Sequence, residues 1–223
     1  MHGSTEVVAG HALEHHFADM GQQRAAATLG MWVFLITEVL FFGGMITAYL
    51  VYRVAFYDAW KVGSEHMEFW KGTINTVLLL CSSFTMVLAV WASQVGKKNL
   101  LVLFLCITML FGIGFEAVKG VEYYNHFREG SVPGQFWHLD IEGADVPHVQ
   151  LFFVIYFVIT GFHALHLAIG IGILGVLAFQ AWKGKFTPYY NNPIEITGLY
   201  WHFVDIVWIF LYPLLYLISR KHT

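Results

Sequence analysis

The sequence predicts an all-α integral membrane bundle of five transmembrane helices. Three observations carry that reading. First, the 223 residues are 57% hydrophobic and only 12% charged, with mean hydropathy +0.60, where a soluble domain has about 25% charged residues. Second, five apolar segments each reach the ~20 residues needed to cross a bilayer. Third, Pro213, near the end of the fifth segment, is the one proline inside them. Continuous helices therefore close their own backbone hydrogen bonds, as lipid requires. The domain plan is a polar N-terminal tail, 1–25, followed by a membrane domain, 26–223.

The tail holds His2, His11, His15 and His16. It lacks a charged-then-apolar leader, so the first apolar run stays as an anchor. That run, about 26–52, contains "LITEVLFFGG" and places Glu38 near mid-span among Phe34, Phe41, Phe42 and Met45. Desolvation there favours the neutral carboxyl. The second span, about 73–95, puts Asn75, Ser82, Met86 and Ser93 on one face of a helix with 3.6 residues per turn.

The third span, about 100–122, carries Glu116, with Lys119 three residues on as its predicted ion-pair partner. The fourth, about 149–182, has a His163, His166 and Gly170 stripe. Ala164, Ala168, Gly172 and Gly175 form a small-residue ridge opposite it. Small ridges let helices approach closely, so this helix is predicted to be central. The fifth, about 194–218, contains "YWHFVDIVWIFLY". Glu195, Gly198, His202, Asp205 and Tyr212 share one face there, and Trp201 lies beside them.

The connections add orientation. Lys97, Lys98, Lys183 and Lys185 sit in short positive connections on the side of the N-terminus. That side is therefore read as cytoplasmic and the C-terminus as periplasmic. The longest loop, 123–148, is acidic, with Glu129, Asp140, Glu142 and Asp145. Trp60, Trp70, Trp137, Trp182, Tyr189 and Tyr190 fall near the predicted interfaces, as an aromatic belt would. Cys81 and Cys106 read as buried packing thiols. The net charge of -3 is spread out, with no basic patch for nucleic acid.

From the residues alone, three functional arrangements compete with a structural one. Glu38, His163, His166, His202 and Asp205 could hold a metal in the bundle core. His163 and His202 could be axial heme ligands. Glu38 and the histidines could relay protons or bind a lipid headgroup. The structural alternative is a set of interhelical hydrogen bonds worth about 1 kcal/mol each.

The motifs go further. "YWHFVDIVWIFLY" resembles the last helix of subunit III of heme-copper terminal oxidases. "FFVIYFVITGFHALHLAIGIGIL", with Thr160, Gly161, Phe162, His163 and His166, resembles the preceding helix. "NTVLLLCSSFTMVLA", "FEAVKGVEYYNH" and "FLITEVLFF" are similar to three further segments of that family, in the family's order. The resemblance implies a polypeptide without heme or copper of its own. It would pack on subunit I, which holds redox centres, with subunit II, a subunit IV and a respiratory supercomplex as further partners. It would bind phospholipid, support proton uptake and prolong the working life of the enzyme. Glu38 falls on the family's carbodiimide-reactive carboxylate. His163, His166, His202, Asp205, Asn75, Ser82, Glu116 and Trp201 become expected lipid or subunit contacts.

The implied complex is a proton-translocating aa3 or caa3-type cytochrome c oxidase of a bacterial inner membrane. The same subunit of a quinol oxidase, or the related subunit of a nitric oxide reductase system, is the alternative. A small transporter or heme-binding anchor would be a different class. Many family members have seven helices. The two absent ones would precede residue 26, so the family's lipid cleft does not carry over whole.

Overall fold

The computed structural model describes residues 17–138 and 145–218. The four tail histidines, Asp140 and Glu142 lie outside these residues. Six helices follow in order: α1 Met20–Ala55, α2 Tyr57–Glu65, α3 Phe69–Gln94, α4 Lys98–Arg128, α5 Val146–Trp182 and α6 Asn192–Tyr216. All but α2 are long and apolar enough to cross a membrane. Among the described residues there is no strand, only two isolated bridge pairs.

Helix ends follow local chemistry. Asp19 Oδ1 accepts from the Gln22 N–H at 2.8 Å, a side-chain N-cap. The first helix therefore starts at Met20 rather than near Ala26. Pro147 and Pro193 occupy first turns, where a missing N–H costs nothing. α3 and α5 close on one motif. Gly96 and Gly184 take φ of 72° and 76°, a left-handed turn that glycine adopts without strain. Lys97 N–H then reaches Ala92 O at 3.0 Å, and Lys185 N–H reaches Gln180 O at 3.1 Å. α1 and α5, with 36 and 37 residues, are about 55 Å long. Both exceed a hydrocarbon core about 30 Å thick, so they tilt or protrude.

α2 lies between the first two predicted spans, where the hydropathy pattern predicts no element. Its nine residues carry three charges and two poor helix formers, Gly63 and Ser64. One face, Ala59, Trp60, Gly63 and Ser64, is buried. A Cβ on Gly63 would lie 2.4 Å from the Phe152 ring of α5. Trp60 is therefore a packing residue with 0% exposure, not part of an interfacial belt. Trp70, Trp182 and Tyr189 are exposed. Cys81 is exposed as well, and Cys106 is half-buried.

The buried faces follow a four-three repeat. On α4 it runs Leu101, Leu105, Thr108, Gly112, Phe115, Lys119, Glu122 and His126. This spacing is the seam of left-handed helix packing. α6, not α5, is the most enclosed span, with 61% of its apolar window buried against 28% for α5. The α5 small-residue ridge does not pack as predicted either: Ala168 and Gly172 are exposed, and nothing lies within 4 Å of a Cβ built on Gly172. α1 is the outlying helix. It buries only Leu35, Phe42 and Tyr49, spaced seven apart. The Tyr49 hydroxyl donates to the Leu214 carbonyl of α6.

Candidate functional site

Glu38, in the middle of α1, faces α5. Its Oε2 lies 3.0 Å from His166 Nε2. The other ring nitrogen, Nδ1, lies 2.7 Å from Phe162 O. A carbonyl only accepts, so Nδ1 carries a hydrogen. The Nε2–Oε2 contact then holds one proton in either of two forms: imidazolium facing carboxylate, or neutral imidazole facing carboxyl. Both forms are neutral as a pair, which limits the cost of burying titratable groups in lipid. Phe41 and Phe42 pack their rings 6.3 and 5.2 Å from the imidazole. The Tyr200 hydroxyl donates to His166 O at 2.8 Å. The two side chains remain 15–16% exposed, so the pair sits at the edge of the bundle within reach of its surroundings.

The predicted polar stripe of α6 faces α3. Ser83 Oγ meets His202 Nδ1 at 2.8 Å, Thr73 Oγ1 meets Tyr212 Oη at 2.7 Å, and Gln94 Nε2 donates to Glu195 Oε1 at 2.8 Å. Trp201 Nε1 donates to Ser82 Oγ at 3.1 Å, and Trp208 Nε1 to Thr76 Oγ1 at 3.1 Å. Trp201 also lies over Gly112 and Gly170, where a Cβ would come within 2.9 and 3.0 Å of its ring. Asp205 is 3% exposed. Neither of its oxygens completes a hydrogen bond among the described residues. Ser83, engaged with His202, is the hydroxyl that faces it. Asn75 is likewise buried with both amide atoms unpartnered among the described residues.

His163 and His166 diverge. His166 turns towards α1, whereas His163 is fully buried between Trp208 and Phe115, with ring centroids 5.2 and 5.5 Å away. His202 sits on Ser83, so the structure does not bring His163 and His202 into one ligand pair. Asn75, Ser82, His163, Trp201 and Asp205 are all buried among helices of this chain. Glu38, His166, His202 and Glu116 keep partial exposure.

The strongest polar cluster is one the sequence reading missed. Lys119 does not pair with Glu116. Its Nζ lies 3.0 Å from Glu122 Oε2, 3.1 Å from Tyr156 Oη and 2.8 Å from Tyr216 Oη. The rings of Tyr123, Tyr156, Trp208 and Tyr216 surround it at 5.0–5.6 Å, adding cation–π attraction. Both Tyr156 and Tyr216 donate to Glu122 Oε1. Lys119 and Glu122 are 2% and 0% exposed. Glu116 Oε1 is left buried without a hydrogen-bond partner among the described residues. The signal was available: Lys119, Glu122 and His126 continue the α4 core repeat, so charged side chains occupy core positions.

Comparison with known proteins decides the family. A family model described as Cytochrome c oxidase subunit III matches residues 8–139 and 143–220. The chain belongs to that family. Among its relatives, a cytochrome c oxidase subunit 3 of Thermostichus vulcanus is 32% identical over 197 residues, covering 86% of this chain and 87% of the relative. A quinol oxidase subunit 3 of Bacillus spizizenii is 33% identical over 192 residues, covering 86% of each. A probable quinol oxidase subunit 3 of Staphylococcus haemolyticus is 29% identical over 197 residues, covering 87% and 90%.

Subunit III belongs to an oxidase complex, so other oxidase subunits are its partners. The subunit III family carries no metal centre. Among the described residues, no group of three or more His, Cys, Asp or Glu side chains converges.

Proposed function

We propose that this chain is the non-catalytic subunit III of a bacterial respiratory heme-copper oxidase of the aa3 or caa3 cytochrome c type. The complex reduces oxygen to water and translocates protons. Its hemes and copper reside in partner subunits. This chain stabilises subunit I, contacts subunit II and a subunit IV, binds phospholipid and supports proton uptake. The observation that carries the reading is the Glu38–His166 contact at 3.0 Å, with both side chains 15–16% exposed. A neutral proton-holding pair at the membrane-exposed edge of a bundle suits a subunit that supplies protons to a neighbour. The buried residues Asn75, Ser82, His163, Trp201 and Asp205 serve by fixing helix positions. Glu38, His166, His202 and Glu116 take the direct contacts with lipid or subunits.

The chain lies in the bacterial inner membrane with its N-terminus in the cytoplasm. Arg24 Nη2 donates to Tyr189 O at 2.6 Å, and Lys98 Nζ lies 3.8 Å from a Cβ built on Gly184. These contacts gather the positive connections at one end, in support of that orientation. The quinol oxidase reading is the alternative, favoured by the relatives of that name.

Mild-detergent purification with subunit mass spectrometry and heme extraction tests the proposal. A much larger heme-bearing partner and oxygen uptake driven by reduced cytochrome c are expected. Uptake driven by quinol alone moves the assignment to the alternative, and a stable isolated heme-binding monomer overturns both.

A further inference from the structure

α1 leans on α5 and α6, while α3 packs on α4 and α6. α6 therefore floors a cleft between α1 and α3, about 460 Å³ in volume. Gln94 and Glu195 line its mouth, where α3 ends and α6 begins. Further in, the lining is apolar, with Val87, Val90 and Leu199. The deepest lining residue on α6 is His202. α6 has 25 residues from Asn192, a length of about 37 Å, against a hydrocarbon core about 30 Å thick. From Asn192 to His202 the helix advances about 15 Å, so the imidazole lies inside the hydrocarbon layer.

His202 has one ring nitrogen to offer the cleft. Its Nδ1 lies 2.8 Å from Ser83 Oγ. Its Nε2 has no hydrogen-bond partner among the described residues and is not sealed in the interior, unlike both oxygens of Asp205 one turn on. Ser83 also faces Asp205, and its hydroxyl has one proton to give. When Ser83 donates to Nδ1, the ring hydrogen sits on Nε2, which donates into the cleft. When the hydroxyl turns towards Asp205, Nδ1 carries the hydrogen and Nε2 accepts. The two tautomers of the neutral ring thus meet a carbonyl or a hydroxyl equally. A charged headgroup brought to this depth would lose its hydration at high cost, whereas a neutral oxygen on an apolar ring loses far less and gains the imidazole.

We infer that this cleft binds an isoprenoid quinone, with one ring oxygen on His202 Nε2 and the ring among Val87, Val90 and Leu199. A quinone presents a carbonyl when oxidised and a hydroxyl when reduced, and the Ser83-controlled tautomer of His202 suits both. The volume is in the range of small-ligand sites, which combine mostly apolar walls with a few placed polar groups. The isoprenoid tail leaves through the lipid-facing side, where Val87 and Trp91 are 51% and 44% exposed. The inference goes beyond the proposed function. It concerns a site on this chain and holds whichever donor reduces the complex.

Purified complex containing the full chain, in phosphatidylcholine vesicles under argon, is photolabelled with an azido-quinone carrying a short isoprenoid tail, in oxidised and in reduced form. The labelled peptides are then mapped. Label is expected on the α3 and α6 cleft segments of this chain in both forms, displaced by decylubiquinone but not by added phosphatidylethanolamine. Val87→Trp fills an exposed lining position and should abolish it. His202→Leu should raise the half-saturating probe concentration about tenfold, the loss of one hydrogen bond in apolar surroundings. Label confined to partner subunits or to other faces of this chain overturns the site, and so does unchanged label in Val87→Trp, which decides the matter even where His202→Leu does not assemble. Equal displacement by phosphatidylethanolamine, or unchanged affinity in an assembled His202→Leu complex, overturns the quinone assignment. The label is read on this chain and not from oxygen uptake, so the proposed function stands or falls separately.

Discussion

Glu38 on α1 and His166 on α5 are 128 residues apart in sequence, and their Oε2 and Nε2 atoms are 3.0 Å apart in space. The second imidazole nitrogen is committed to Phe162 O. The histidine therefore answers any change at the carboxyl through Nε2 alone.

Glu38→Gln removes the acid and keeps the shape. Under the proposed role, heme content of the complex stays at the wild-type level, while activity decays faster during turnover. His166→Gln should do the same, and the double variant should be no worse than either single one, because the pair acts as a unit. Progress curves of oxygen consumption measure the decay. Immediate loss of heme in Glu38→Gln would count against the proposal.

Lys119→Met should be among the most damaging single changes in the chain. It leaves the Glu122 carboxylate buried at 0% exposure without its cation, at a cost of about 3–5 kcal/mol. Adding Glu122→Gln should restore much of the loss, since the Tyr156 and Tyr216 hydroxyls can still donate to the amide oxygen. Thermal unfolding in detergent and yield of assembled complex report both effects.

The floor beneath Trp201 predicts a graded glycine series. Gly112→Ala and Gly170→Ala push a methyl to 2.9 and 3.0 Å from the indole ring, which overpacks the core by about 1–3 kcal/mol. Gly120→Ala and Gly172→Ala enter open space and should stay within about 0.5 kcal/mol of wild type. Equal losses at all four positions would argue against close packing at Trp201.

Glu68, just before α3, gives a pH prediction. Partial burial pushes its carboxyl up, yet hydrogen bonds from Lys71 and Asn125 outweigh that and hold it below the ordinary value. Those bonds are 2.6 and 2.9 Å long. A depressed carboxyl contributes stability above its unfolded value of about 4.3 and loses it as pH falls through the folded value. Between neutral pH and the acid side of that window, wild type should therefore lose more thermal stability than Glu68→Gln. Parallel melting curves for the two proteins would remove Glu68 from the acid response.

The five spans were legible because length and hydropathy act within each segment. The α6 stripe was legible too, since every member lies on one face of one helix. Its partner was not. Rotation about the axis is set by packing against neighbours, and within the chain Ser83 of α3, not His163, meets His202. Lys119 was misread for a related reason. Spacing three residues apart offers Glu116 and Glu122 equally, and four aromatic rings from α4, α5 and α6 decide between them. α2 was missed because nine residues give too short a period to read, and Phe152 supplies its reason to fold.

The sparse seam of α1 has a consequence for biogenesis. Chains are made from the N-terminus, so α1 enters the membrane before α5 and α6, the two long helices it leans on, have been synthesised. A helix that buries only Leu35, Phe42 and Tyr49 leaves few side chains unsatisfied during that wait, and lipid serves the rest of its surface. Glu38 is the exception. From the insertion of α1 until α5 follows, its carboxyl sits at mid-span without the histidine that later lies 3.0 Å from it.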